Sequence, residues 1–250
     1  MKKTDLPGLV SALCLVCFCP GPASCELRSP LPSDVPGITI PNAHTLGGNH
    51  LGLVLRGNAP RKEEIQQLKT YGITDILIFK NQTSSEVVQE VQMLLAAGYP
   101  AERIRQIPFL WKDLGPFRKT CEMTVQGLRF LSEVRDTPRR GVFFHCTVGE
   151  DRTGFLAGLF RMVTDGWDTE KSFREELCDR GYEAGDPRKA PAVVNAVRAG
   201  LTPAYLKMAY LISHGILTRE NLNGSVCAQE PVIDAQTLAK FQCASAADRY

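Results

Sequence analysis

The sequence predicts an α/β fold: a central mixed, mostly parallel sheet flanked by helices, in a single domain with a helical C-terminal part. Three observations carry this. Short apolar, β-branched runs alternate with stretches of helical spacing as far as Val163. Gly, Pro and Asn clusters punctuate that alternation. From Thr169 onward the apolar spacing is helical throughout.

The elements follow in order. Leu51 to Leu55 reads as a short strand, closed by the turn Arg56-Gly57-Asn58-Ala59-Pro60. Lys62 to Tyr71 has helical spacing through Ile65 and Leu68, and Ile73 to Phe79 is a buried strand. Thr83 or Ser84 caps a helix from about Glu86 to Ala97, which Gly98-Tyr99-Pro100 ends. Arg103 to Phe109 alternates as a strand does. Cys121 to Val134 is a helix with Val125, Leu128 and Leu131 on one side. Gly141 to His145 is a short strand, and Arg152 to Val163 a strongly apolar helix. Further helices are expected over 169–179, 190–199, 202–213 and 234–241.

Composition narrows the classes. The 250 residues are 44% hydrophobic and 22% charged, which suits a globular chain with a sizeable core. The 29 basic and 27 acidic residues leave a net +2, too little for bulk charge to drive nucleic-acid binding. Lys2 and Lys3, the apolar run Leu9 to Cys19 and the small residues up to Ala23 form a secretory leader over 1–25. Cleavage after Ala23 is one expectation. The alternative is lipidation of Cys25 in Pro22-Ala23-Ser24-Cys25, and membrane attachment is expected only in that case. Residues 26–48, rich in Pro, Gly, Ser and Asn, read as a loosely ordered arm. The main domain spans 49–215, and 216–250 is a C-terminal helical extension. Export permits disulfides. Cys227 with Cys243 and Cys121 with Cys178 are candidate pairs, with buried free thiols as the alternative; spacing does not decide connectivity. Asn81-Gln82-Thr83 and Asn223-Gly224-Ser225 match a glycosylation sequon.

The segment that carries chemistry runs from Val142 to Gly154. A strand delivers Cys146, five residues form a loop, and Arg152 opens a helix. Inward-pointing amides of such a loop, Thr147, Val148, Gly149, Glu150 and Asp151, bind a tetrahedral dianion. The helix dipole adds positive potential. Arg152 holds two phosphate oxygens through its planar fork. In that field Cys146 favours the thiolate, placed for in-line attack on phosphorus. No metal or cofactor is expected, because the amides and Arg152 supply the positive charge.

These residues resemble the signature His-Cys-x5-Arg-Ser/Thr of the cysteine-dependent phosphatases, matched here by His145, Cys146, Arg152 and Thr153. Val54 to Pro60, with the following helix and strand, resembles the start of the compact dual-specificity type, so the likeness covers roughly 50–180. The resemblance implies a phosphocysteine intermediate, with His145 tuning the loop and Thr153 stabilising the leaving thiolate. It implies a general acid upstream, for which Asp113 in Trp111-Lys112-Asp113-Leu114-Gly115-Pro116 is the candidate; Lys112 stands where the family usually has Pro. Asp151 is the competing candidate, with a structural role in the loop preferred for it. Arg56 resembles a residue that orders the site wall; Arg56 and Lys112 are candidate substrate contacts. Arg118, Lys119, Arg180, Arg188 and Lys189 are candidates for the cleft rim, with a solvated surface the preferred reading for each. The expected partner is a phosphorylated protein, with phosphotyrosine or mixed specificity. The alternative is an inositol phosphate, against which Glu150 counts by lowering the local positive potential. A catalytically inactive phosphate-binding module is the reading from a different class.

Overall fold

The computed structural model describes residues 28–47 and 52–244. The leader, including Cys25, lies outside the described residues. Five strands, β1 (His44–Thr45), β2 (Leu53–Gly57), β3 (Asp75–Phe79), β4 (Ile104–Ile107) and β5 (Gly141–His145), form one sheet in the order β1-β2-β5-β3-β4. Only β1 runs antiparallel, pairing His44 with Arg56. The remaining neighbours are parallel, with His145 beside Gly57 on one flank and beside Ile78 on the other. β5 is therefore central, and the chain leaves it between the ends of β2 and β3. In open α/β sheets such a crevice, at the carboxyl ends of parallel strands, is where ligands bind.

Alternation along the strands makes two cores. Val54, Leu77, Phe79, Val142 and Phe144 face one side, together with α3 (Phe117–Arg135), α4 (Asp151–Asp165) and α6 (Pro191–Ser213). Leu55, Ile76, Ile78 and Phe143 face the other, against Ile65 and Leu68 of α1 (Lys62–Thr70) and Val87 and Leu94 of α2 (Glu86–Ala96). Burial on both faces explains why β3 and β5 read as unbroken apolar runs.

Several expectations need correction. Residues 28–47 are not a loose arm. They supply β1 and bury Ile40, Ala43 and Leu46 completely or nearly so. The polar composition that suggested looseness is used internally: the buried Asn42 donates to two backbone carbonyls on other segments. Residues 191–213 form one helix rather than two, with Pro203 inside it. Proline there costs a backbone hydrogen bond, and packing overrides that propensity: Val197, Leu201, Tyr205 and Met208 are fully buried. Residues 169–180 open as α5 (Thr169–Ser172) and continue through a wide π turn and a 3-10 turn instead of a regular helix. α7 (Ala235–Lys240) lies in the segment expected to be helical.

The disulfides join Cys121 to Cys227 and Cys178 to Cys243, crossing the expected pairs. The reason is tertiary. The 224–228 turn lies on α3, and the tail after α7 returns to the 178–183 turn, where Glu183 accepts from the Cys243 amide. Among the described residues Cys146 is the free cysteine. No helix among the described residues is long and apolar enough to cross a membrane.

Candidate active site

β5 ends at His145, the loop 146–150 turns, and α4 begins at Asp151. The loop is held from outside by its carbonyls. Thr147 O accepts from Asn58 Nδ2 at 2.9 Å and from the Ala59 amide at 3.2 Å. Gly149 O accepts from Asn42 Nδ2 at 3.0 Å and from Arg56 Nη2 at 2.9 Å. Tying carbonyls outward leaves the amides to serve the centre of the loop. Gly149 has φ +74°, and a Cβ there would run into the Gly57 carbonyl, so no other residue fits.

Cys146 is buried at the floor of a cleft of about 530 Å³. Its amide donates to Thr153 Oγ1 at 2.8 Å. Burial opposes ionisation of the thiol, but the Arg152 charge and the Thr153 hydroxyl outweigh it and hold the thiol below its ordinary pKa. Arg152 is steered by three acceptors: Asn81 Oδ1 at 3.0 Å, Phe109 O at 3.2 Å and Thr147 Oγ1 at 3.3 Å. The fork is thus held where its charge acts on the Cys146 thiol. His145 lies wholly buried, with Nδ1 2.8 Å from the Cys146 carbonyl and Nε2 2.7 Å from Glu90 Oε1. Glu90 in turn holds Lys80 at 3.0 Å.

The walls of the cleft are Trp111 and the segment from Asp186 to Val193. Thr147, Val148, Glu150, Asp151 and Arg152 all border it. Asp151 Oδ1 accepts from the Glu183 amide at 3.0 Å and from Lys189 Nζ at 2.7 Å. Glu150 is 1% exposed and lies 3.2 Å from Lys189. Burial pushes its pKa up to about 7, against the pull of Lys189.

Two expected substrate contacts lie elsewhere. Arg56 is fully buried behind the loop, donating to Gly149 O and to the Glu176 carbonyl and carboxylate. It therefore supports the loop from behind and does not border the Cys146 cleft. A turn arginine looks solvated in sequence, and only strand pairing shows that β2 points it inward. Lys112 is exposed, folded over the Trp111 ring, and borders a second cavity of about 460 Å³. Asp113 borders that same cavity, outside the Cys146 cleft, with φ +52°. The ranking of surface cations is reversed as well: Lys189, read as solvated, is 9% exposed at the loop, while Lys112 lies in solvent.

Asn42, Asn58, Asn81, Glu90 and Glu176 escaped the sequence reading, and Lys189 was placed in solvent. Asn81 carried a signal, the sequon, but it pointed to glycosylation rather than to Arg152. The others lie in separate segments that only the fold brings together.

Comparison with known proteins agrees with this geometry. Residues 50–166 match a tyrosine phosphatase family. A dual specificity protein phosphatase, TpbA of Pseudomonas aeruginosa, is 36% identical over 69 residues; the match covers 27% of this chain and 31% of that protein. The chain thus spans about a third of the length of the curated relatives it matches. Among solved structures, PTPMT1 is 13% identical at a TM-score of 0.48, covering 70% of this chain and 98% of that one. The catalytic core of the PP-IP phosphatase SIW14 from S. cerevisiae, in complex with citrate, is 17% identical at 0.45, covering 73% and 86%.

Proposed function

We propose, from the membership of this chain in the cysteine-dependent, tyrosine-phosphatase-like superfamily, that it is an exported phosphatase hydrolysing phosphomonoesters through a phosphocysteine. One observation carries the reading: a thiol biased toward thiolate lies under a guanidinium already oriented by three acceptors, in a loop whose carbonyls are tied outward. Cys146 Sγ attacks phosphorus, and the S–P bond forms as the ester oxygen leaves. Asp113 protonates that oxygen, which requires the 111–116 loop to bring it across from the neighbouring cavity. The Asp113 carboxylate then takes a proton from the attacking water, and the S–P bond breaks. Thr153 Oγ1 donates to the departing thiolate. His145, between the Cys146 carbonyl and Glu90, fixes the start of the loop. Asp151 keeps the structural role, since its carboxylate is engaged by Lys189 and the Glu183 amide.

Phosphotyrosine or mixed specificity ranks first. Trp111 and Val193 give the cleft apolar walls suited to an aryl group. Of the cations bordering it, Lys189 is matched by Glu150 and Asp151, and Arg188 by Asp186, so Arg152 is left for one phosphate. An inositol polyphosphate would need further unmatched cations. The two disulfides support export to an oxidising compartment, by the 1–25 leader or with an anchor at Cys25.

The test is phosphate release under mild reduction without added metal, from a phosphotyrosine peptide, a phosphoserine peptide and inositol hexakisphosphate. Release should be fastest from the first. Cys146→Ser should abolish turnover and retain phosphate binding; residual turnover in that variant excludes the mechanism. Binding of phosphate without release by the wild type would make the chain a binding module.

A further inference from the structure

We propose that Lys189 is a positioning residue of the phosphate loop, its ammonium offsetting Glu150 and Asp151 so that a phosphate dianion meets no local repulsion. The proposal rests on the phosphatase reading above for the identity of the anion. Two consecutive acids directly before Arg152 would otherwise oppose the clamp they adjoin. The structure brings a cation from a distant segment to both. Lys189 Nζ lies 2.7 Å from Asp151 Oδ1, 3.2 Å from Glu150 Oε2 and 2.7 Å from Gly181 O. Two of these contacts, to Asp151 and Gly181, are hydrogen bonds, and the third is an ion pair with the buried Glu150 carboxylate. This is not a surface ion pair: the lysine side chain is 9% exposed and Glu150 is 1% exposed.

Among the described residues no other cation is placed to replace it. Arg188 is engaged by Asp186 and by the Arg28 carbonyl. Glu150 otherwise faces Asp151, Asp186 and Ser29, and a close glycine, Gly181, whose Cβ position its side chain occupies. Cys146 faces Arg152, Thr153 and Arg56 in its favour, and Asp151 against it. Removing the lysine charge therefore acts on the thiol and on bound phosphate through Asp151.

The test is the alkylation rate of Cys146 by iodoacetamide in the full chain, followed by mass spectrometry across pH, with and without inorganic phosphate as protectant. Lys189→Met should raise the pH of half-maximal reactivity by about one unit, and phosphate protection should need about tenfold more anion, the equivalent of one lost charge contact. Asp151→Asn on that background should restore both, and Lys189→Arg should retain both. A lower melting temperature in Lys189→Met with the alkylation profile and protection unchanged overturns the proposal, as does failure of the double variant to recover. Should Lys189→Met not fold, Asp151→Asn alone decides: the thiol should react at lower pH and phosphate should bind more tightly, and no change or the reverse overturns it. Thiol reactivity needs no turnover. An inactive wild type would thus count against the phosphatase reading while leaving this test intact.

Discussion

At Thr147 and Gly149 each backbone carbonyl of the 146–152 loop accepts from two donors, three of the four being side chains from β2 or the segments beside it. Across the cleft, the 111–116 loop is held lightly. Trp111 and Leu114 are half-buried against the core, Thr120 donates to Leu114 O at 3.4 Å, and Gly200 of α6 leaves room beside them. Lys112, Asp113, Gly115 and Pro116 are exposed. On the proposed mechanism, the group that must not move is over-determined, while the group that must travel has few contacts to break. Preorganised donors lower a barrier only if they stay fixed. A general acid on a loop works only if the loop is free to close.

The sharpest way to break this contrast uses two glycines of positive φ. Gly149→Ala should lower kcat/KM by about a thousandfold, the scale of losing aligned oxyanion donors, because its Cβ meets the Gly57 backbone. The same change at Gly115, where nothing lies within 4 Å, should leave kcat/KM within a few fold. Its cost should be about 1 kcal/mol of stability, from the left-handed backbone alone. Equal activity losses at the two sites would erase the contrast.

Asp113→Asn should come next, with kcat down about a hundredfold and the basic limb of the pH profile lost, while Cys146 alkylation is unchanged. If Asp151→Asn shows that signature instead, the acid belongs to the fixed loop and the 111–116 loop loses its role.

The smallest effect is on stability, and it compares a buried group behind the fixed loop with one inside it. His44 lies against Glu176, the partner of Arg56. Burial lowers its pKa from 6.5 to about 4, so the unfolded chain binds the extra proton between those values and stability falls as pH falls through that window. Glu150 is raised from 4.5 to about 7, so the folded chain keeps the proton longer and stability falls as pH rises through that window. Each is worth about 3 kcal/mol, and they oppose. Denaturation of the wild type should therefore vary little between pH 4.5 and 6.5. Glu150→Gln should leave stability rising with pH, and His44→Asn should leave it falling; parallel curves would refute the opposition.

The same contrast shows what the sequence could tell. Cys146, Arg152 and Thr153 are separated by fixed short spacings, so local pattern exposes them. β3 and β5 are apolar throughout because both faces are covered, which also reads locally. Arg56, Asn42, Lys189 and Glu176 act through contacts spanning 38 to 120 positions, and nothing in their neighbours distinguishes them from surface residues. Pro203 misled for the converse reason: a local breaker was overruled by packing.

The crossed disulfides set an order of events during synthesis. Cys121 and Cys178 both emerge before their partners, Cys227 and Cys243, which lie 106 and 65 positions further on. Between Cys121 and Cys178 comes Cys146, so all three thiols are present on the chain before either partner is made. Either of the early two, joined to Cys146, would lock the sulfur that the proposed mechanism uses. In the folded chain Cys146 is buried and is the free cysteine among the described residues, so neither disulfide draws on it. A chain that reaches this fold before its last cysteines pair thereby keeps the remaining sulfur out of exchange until each staple finds its own mate.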